Sequence, residues 1–219
     1  MTDLLISVGP IGSVGLLVLG YLLGSVPFGL LLTRWSGSGD VRQQGSGNIG
    51  ASNVLRGGRR TLAALTLLAD MGKAMPAVWL AQQTHGSAFV PFLPVLAALA
   101  AMLGHCFPLW LKFRGGKGVA SFLGGLLMLS WPLALLYAAL WLAIVLVSRI
   151  ASLGSLGAHG LLLLAALAQL GAPGLFGPYL FDHAPALALF VLASFCLMLW
   201  THRANLVRLK SGTEHRISG

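Results

Sequence analysis

IGSVGLLVLGYLLGSVPFGLLL (Ile11–Leu32) is a run of 22 residues without a charged side chain. Crossing the ~30 Å hydrocarbon core takes roughly 20 apolar residues in a helix, so this stretch is long enough to span. Similar runs recur as far as Trp200. Lipid offers a bare backbone no hydrogen bonds, which leaves helices or a closed barrel. The runs are unbroken and rich in Leu and Ala, without the polar alternation of barrel strands. Composition agrees: 57% of residues are hydrophobic and 9% charged, where a soluble domain carries about 25% charged residues. An all-α integral membrane protein follows, read as a single membrane-embedded domain over residues 1–219. Asp3 precedes the first run and no convincing small-residue cleavage site follows it, so a signal peptide is not expected. Cys106 and Cys196 lack metal-like spacing and read as buried packing residues. Neither a metal nor a cofactor is expected.

The net charge of +9 is unevenly placed. Arg34, Arg42, Arg56, Arg59 and Arg60 surround the first long polar segment, and Lys112, Arg114 and Lys117 mark the second. Arg149 marks the third, and Arg203, Arg208, Lys210 and Arg216 lie in the tail. The polar connections near residues 1–10, 82–90, 130 and 171–184 hold no Lys or Arg. Basic loops stay in the cytoplasm, so the cations point to a membrane orientation rather than to nucleic acid. Spans at about 11–33, 62–81, 91–110, 118–130, 130–148, 154–171 and 185–202 then make a polytopic bundle of about seven transmembrane helices. The N-terminus is outside and the C-terminus cytoplasmic. Ser130-Trp131-Pro132 breaks the stretch 118–148, because proline disfavours helix at the residue before it; the limb 118–130 is short enough to be re-entrant.

Chemistry-bearing residues concentrate in the basic segments. Gly45-Ser46-Gly47-Asn48-Ile49-Gly50-Ala51-Ser52-Asn53-Val54-Leu55-Arg56 combines glycines with small polar side chains and a cation. Glycines bring backbone N–H groups close to a ligand, and successive N–H groups make an anion nest. Ser52 or Asn53 is placed to cap a helix start, which favours phosphate. An ordinary loop has the same composition. Phe113-Arg114-Gly115-Gly116-Lys117-Gly118 repeats the recipe just before a helix. Positive-inside anchoring accounts for its cations but not for its glycines. Two such loops on one face point to a phosphate site. His202 and Asn205, three apart, share a helical face. Asp70 and Lys73, also three apart, lie halfway along the second span, where ionisable groups are costly unless paired or facing a polar cavity. An intramembrane ion pair is the first expectation there, and a substrate role the second. His105 ends the third span in a capping, packing or chemical role.

Tyr21–Gly29, Ser46–Asn53, Gly104–Pro108 with Lys112–Ala120, Ser148-Arg149 with Ser152–Ser155, and His202-Arg203 with Asn205, Arg208-Leu209 and Gly212-Thr213-Glu214 stand in order along the chain. Together they resemble the bacterial acyl-phosphate:glycerol-3-phosphate acyltransferases of the inner membrane, with Ser52 where threonine is usual. The resemblance implies a seven-span fold in the bacterial cytoplasmic membrane with its active site on the cytoplasmic side. It implies acyl transfer from acyl phosphate to the 1-hydroxyl of sn-glycerol 3-phosphate, giving lysophosphatidic acid and phosphate, the first acylation of phospholipid biosynthesis. By matching position, Lys117, Ser152, His202 and Asn205 are the catalytic candidates. Ser46, Asn48, Ser52, Asn53, Arg56, Gly115 and Gly116 are the candidates for binding substrate phosphate. Membrane lipid is an expected partner, and transient contact with a soluble acyl-phosphate-forming enzyme is left open.

No histidine is followed five residues later by aspartate, so the His-x4-Asp dyad of thioester-using acyltransferases is absent. That favours an acyl-phosphate donor and leaves His202 or a substrate phosphate oxygen to accept the hydroxyl proton. The rival reading is a membrane transporter or channel for an organic phosphate or other anion. Transporters commonly pair inverted repeats with broken helices at the midplane, whereas the polar motifs here gather on one face.

Overall fold

A computed structural model of the chain describes residues 6–85, 92–177 and 184–217. Of the outward connections expected at 82–90 and 171–184, residues 86–90 and 178–183 lie outside the described residues. The helices are α1 (Pro10–Gly24), α2 (Phe28–Trp35), α3 (Ala51–Arg56), α4 (Arg60–Gly72), α5 (Met75–Gln82), α6 (Leu93–Cys106), α7 (Val119–Leu129), α8 (Trp131–Ser148), α9 (Ala151–Gly171), α10 (Ala184–Thr201) and α11 (Arg203–Lys210). Five helical stretches are long and apolar enough to cross a membrane among the described residues: Pro10–Trp35, Leu93–Leu111, Trp131–Ser148, Ala151–Gly171 and Ala184–Thr201. The α4–α5 pair covers the expected second span with a break at its centre. The eleven residues of α7 rise about 16 Å at 1.5 Å each, about half the hydrocarbon thickness.

One feature departs from the all-helical expectation. Ile6–Ser7 (β1) pairs in parallel with Thr84–His85 (β2). These two-residue strands are too short to show as a pattern in sequence. The ladder holds the start of the chain beside the α5–α6 connection.

Small residues set the tightest helix crossing. Gly20 and Gly24 of α1 face Ala97 and Ala101 of α6, and Gly104 faces the Tyr21 carbonyl. The pairs advance together along both helices, so α1 and α6 run parallel. A Cβ on Gly24 or Gly104 would strike the partner's backbone. In lipid, where apolar burial gives helices little reason to associate, close backbone approach supplies the packing. Cys106 is buried as expected, whereas Cys196 is exposed on α10.

The first two spans are broken helices, and the breaks meet. Pro27 has no N–H and disfavours helix at Val26, so α1 ends at Gly24 and α2 restarts at Phe28. The freed Val26 carbonyl accepts from Lys73 Nζ at 2.9 Å. Lys73 sits at the α4–α5 break and bonds Asp70 Oδ1 at 2.7 Å, both side chains only 3% exposed. Burying a charge without a partner is far costlier than burying the pair. Lys73→Met should therefore lower unfolding stability by about 3–5 kcal/mol, and Asp70→Asn added to it should recover most of the loss. Thermal unfolding of the purified variants in detergent reads both.

Candidate functional site

The four basic segments come together around a cavity of about 540 Å³. Ser46, Asn48, Ser52, Asn53, Arg56, Lys117, Ser152, His202 and Asn205 all line it. Gly115 and Gly116 line the neighbouring cavity instead, which Asn48 also borders. The two loops singled out for their glycines and cations thus face a common space, although about 60 residues of sequence separate them.

The first loop is organised by Asn53. Its Oδ1 accepts from the Ser46 amide (2.9 Å) and hydroxyl (3.3 Å). Its Nδ2 donates to the carbonyls of Val41, Gln44 and Asn48 at 2.8–3.0 Å. The amide is occupied with the loop itself, so Asn53 shapes the site rather than reaching for a ligand. Asn48 Oδ1 accepts from the Gly50 amide, an Asx-type turn that starts α3. Gly50 is the N-cap of α3; Ser52 and Asn53 stand inside the first turn, not at the cap. With six residues, α3 is also too short for the helix-end argument made from the sequence.

Arg56 projects from the end of α3 into the cavity, with Nε and Nη1 buried and, among the described residues, without hydrogen-bond partners. Buried guanidinium donors left unpaired cost free energy, which an anion in the cavity offsets by accepting from the guanidinium. Lys117 comes from the loop ahead of α7, where Gly118 takes φ 88° and turns the chain into the helix. Burial pushes the Lys117 ammonium down to about 8, with the neighbouring charges of Arg56 and Arg208 adding to this and Glu214 opposing it.

His202 is the N-cap of α11 and follows the last residue of α10, so it and Asn205 flank a helix junction rather than sharing one continuous helix. Its Nδ1 lies 2.9 Å from the Met198 carbonyl. A carbonyl only accepts, so Nδ1 carries the proton and, in the neutral ring, Nε2 is left as an acceptor.

The structure adds a carboxylate that the sequence reading did not assign. Glu214 accepts from Ser152 Oγ (2.9 Å) and Asn205 Nδ2 through Oε1, and from Arg208 Nε (2.7 Å) through Oε2. Two of the four catalytic candidates are therefore held by the tail. Burial alone pushes this carboxyl's pKa up, but the hydrogen bonds from Asn205, Ser152 and Arg208 outweigh it and keep the group ionised. The Ile217 amide donates to the Arg149 carbonyl at 2.7 Å, tying the strap to the α8–α9 turn. A signal was available: Glu214 is the only glutamate in the chain and stands among four cations.

Away from these polar groups the cavity is apolar. Ala63, Ala64 and Leu67 of α4, Val119, Ala120 and Leu123 of α7, and Tyr137, Ala138, Trp141 and Leu142 of α8 line it. Leu67 and Leu142 of this wall are exposed, so the apolar part is not sealed within the bundle. Asp70 and His105 line the cavity as well. The arrangement suits a ligand with an anionic head and a hydrocarbon tail.

The family model described as glycerol-3-phosphate acyltransferase matches residues 14–212. Curated proteins of that name are similar along almost the whole chain. The one from Rhodopseudomonas palustris (strain BisB5) is 49% identical over 201 residues, covering 92% of this chain and 94% of its own length. The one from Caulobacter vibrioides (strain NA1000 / CB15N) is 50% identical over 199 residues, covering 90% and 84%. Among solved structures, the glycerol 3-phosphate form of PlsY (YgiH), an integral membrane glycerol 3-phosphate acyltransferase, superposes with a TM-score of 0.79 at 32% identity, covering 94% of this chain and 96% of that one. Its lysophosphatidic acid form gives 0.77 at 31% identity, covering 93% and 94%.

Hydrogen bonds to a charged group contribute about 1.5–3 kcal/mol each. Glu214→Ala leaves Asn205 Nδ2 and Arg208 without their acceptor and should lower stability by about 2 kcal/mol or more. Glu214→Gln, which keeps one acceptor oxygen, should fall between the two. Melting temperatures in detergent give the ranking.

Proposed function

The chain belongs to the glycerol-3-phosphate acyltransferase family, and from that premise we propose how it works: acyl phosphate is the donor, and the reaction takes place at the cytoplasmic face of a bacterial inner membrane. The protein is an integral membrane acyltransferase that acylates glycerol 3-phosphate to lysophosphatidic acid. Its relatives are acyltransferases rather than carriers, which leaves the anion-transporter reading without support. One observation carries the mechanism: buried guanidinium nitrogens of Arg56, unpartnered among the described residues, share a cavity with Lys117 and with an apolar wall made by α4, α7 and α8.

In this reading Arg56 and Lys117 hold substrate phosphate at the membrane interface while the acyl chain lies along the apolar wall. The 1-hydroxyl oxygen of glycerol 3-phosphate attacks the acyl carbonyl carbon. The bond between that carbon and the bridging phosphate oxygen breaks, and inorganic phosphate leaves with the electron pair. Acyl phosphate is already activated, so no covalent enzyme intermediate is needed. Positioning of the two reactants and stabilisation of the developing negative charge supply the acceleration. A phosphate oxygen takes the hydroxyl proton, with the bare Nε2 of His202 as the alternative acceptor. Ser46, Ser52 and Ser152 act as hydrogen-bond donors, and His202 with Asn205 orients glycerol 3-phosphate.

Seven crossings, with the N-terminus outside and the basic segments inside, fit the charge distribution. The pairing of Ile6–Ser7 with Thr84–His85 supports this orientation, because it keeps the N-terminal segment beside a connection that lacks basic residues.

Purified protein in lipid, supplied with glycerol 3-phosphate, should form lysophosphatidic acid from acyl phosphate and only slowly from acyl coenzyme A. Equal rates with the two donors would overturn the donor assignment. Lys117→Ala should abolish turnover while leaving membrane insertion intact. Because burial lowers the Lys117 pKa to about 8, its charge is present below that pH and lost above it. Affinity for the phosphate substrate should therefore weaken as pH rises through about 8. Lys117→Arg should remove that limb of the KM profile, since a guanidinium stays protonated.

A further inference from the structure

His105 stands between the buried ion pair and the glycine loop that carries Lys117. On one side its Nδ1 lies 3.6 Å from Asp70 Oδ1, the same oxygen that binds Lys73. On the other, its ring lies directly under Gly116, where a Cβ would overlap the imidazole Nε2. The Gly116 amide donates to the His105 carbonyl at 2.9 Å and the Gly115 amide to the Cys106 carbonyl at 3.0 Å. The loop thus satisfies two of the carbonyls that the end of α6 would otherwise leave open. Gly116 has no positive φ, so space for the imidazole, and not backbone conformation, is what demands glycine there.

We propose that His105 is a positioning residue for acyl transfer: its imidazole, packed beside the Asp70–Lys73 pair, is the platform against which Gly116 packs, and so sets how far Lys117 reaches into the cavity. The proposal rests on the reading that Lys117 holds substrate phosphate. The ring is only 3% exposed, with Asp70 beside it and the loop above, so a methyl on Gly116 must displace either the ring or the loop. A displacement of about an ångström in a reacting group costs about a hundredfold in rate, which gives a platform under the loop kinetic leverage without any contact with the reacting atoms.

Gly115 provides the contrast. A Cβ there would meet the His105 and Cys106 carbonyls and the Pro108 ring, so its constraint comes from backbone that no change to the His105 side chain removes. The test measures kcat and KM for each phosphate substrate with Gly116→Ala, Gly115→Ala and His105→Ala, and with each glycine variant combined with His105→Ala. Gly116→Ala should lower kcat/KM by about a hundredfold, chiefly through KM for the phosphate substrate held by Lys117. Adding His105→Ala to Gly116→Ala should restore at least about tenfold, roughly half of that loss on a logarithmic scale, while Gly115→Ala should gain nothing from the same addition. A double variant no better than Gly116→Ala, or equal rescue of both glycines, overturns the proposal. So does a His105→Ala enzyme whose kcat falls with KM unchanged, the pattern of lost folded protein. Should His105→Ala be lost from the membrane, His105→Asn, smaller but still polar beside Asp70, carries the same comparison. Product formation by the wild type tests the acyl-transfer reading separately, so failed rescue alongside an active wild type counts against the platform alone.

Discussion

The buried pair of Asp70 and Lys73 is the constraint to which the rest of the bundle is fitted. An ion pair inside a membrane survives only if its remaining donors and acceptors are also met. Here the third partner is the Val26 carbonyl, released by the break ahead of Pro27. The break in the second span places Lys73 at that carbonyl, and the end of α6 brings His105 to the same carboxylate. Ser121 Oγ of α7 donates to the Asp70 carbonyl at 3.2 Å. Three broken or terminating helices and one short one therefore share a single polar centre, and the cavity opens beside it.

The site joins two solvents. Its polar end is built from loops whose glycines and asparagines satisfy one another, leaving Nε and Nη1 of Arg56 unmet among the described residues. Its apolar wall is ordinary helix surface, continuous with side chains that face lipid. An amphiphile can thus keep its tail in a hydrocarbon environment while its head is transferred from water to protein donors. Desolvation then strengthens the electrostatic contacts at the reacting end.

The apolar helices, the gathering of the basic segments and the approach of the two glycine-rich loops were legible in the sequence, because each depends on composition or on charge placement. The Asp70–Lys73 pairing was legible too, since three residues in a helix fix the geometry. Other features were not. The role of Asn53 depends on five contacts with a loop that folds back on it, and spacing along the chain does not encode that fold. His105 looked like a helix end because its two partners, Asp70 and Gly116, come from different elements. Glu214 lay 62 positions from the serine it binds, and only the tail's return over the α8–α9 turn brings them together. The Cys196 side chain faces outward for a related reason: in a membrane protein apolar surroundings in sequence do not separate the interior from the lipid side.

The strap through Glu214 and Ile217 bears on biosynthesis. Residues that line the cavity run from Ser46 to Ile217, so segments made far apart in time both contribute walls. A nascent chain whose spans have already inserted still lacks the carboxylate that holds Ser152 and Asn205. The chamber is therefore completed only after its spans, and a message truncated shortly before codon 214 would yield a chain whose Ser152 and Asn205 lack their shared acceptor.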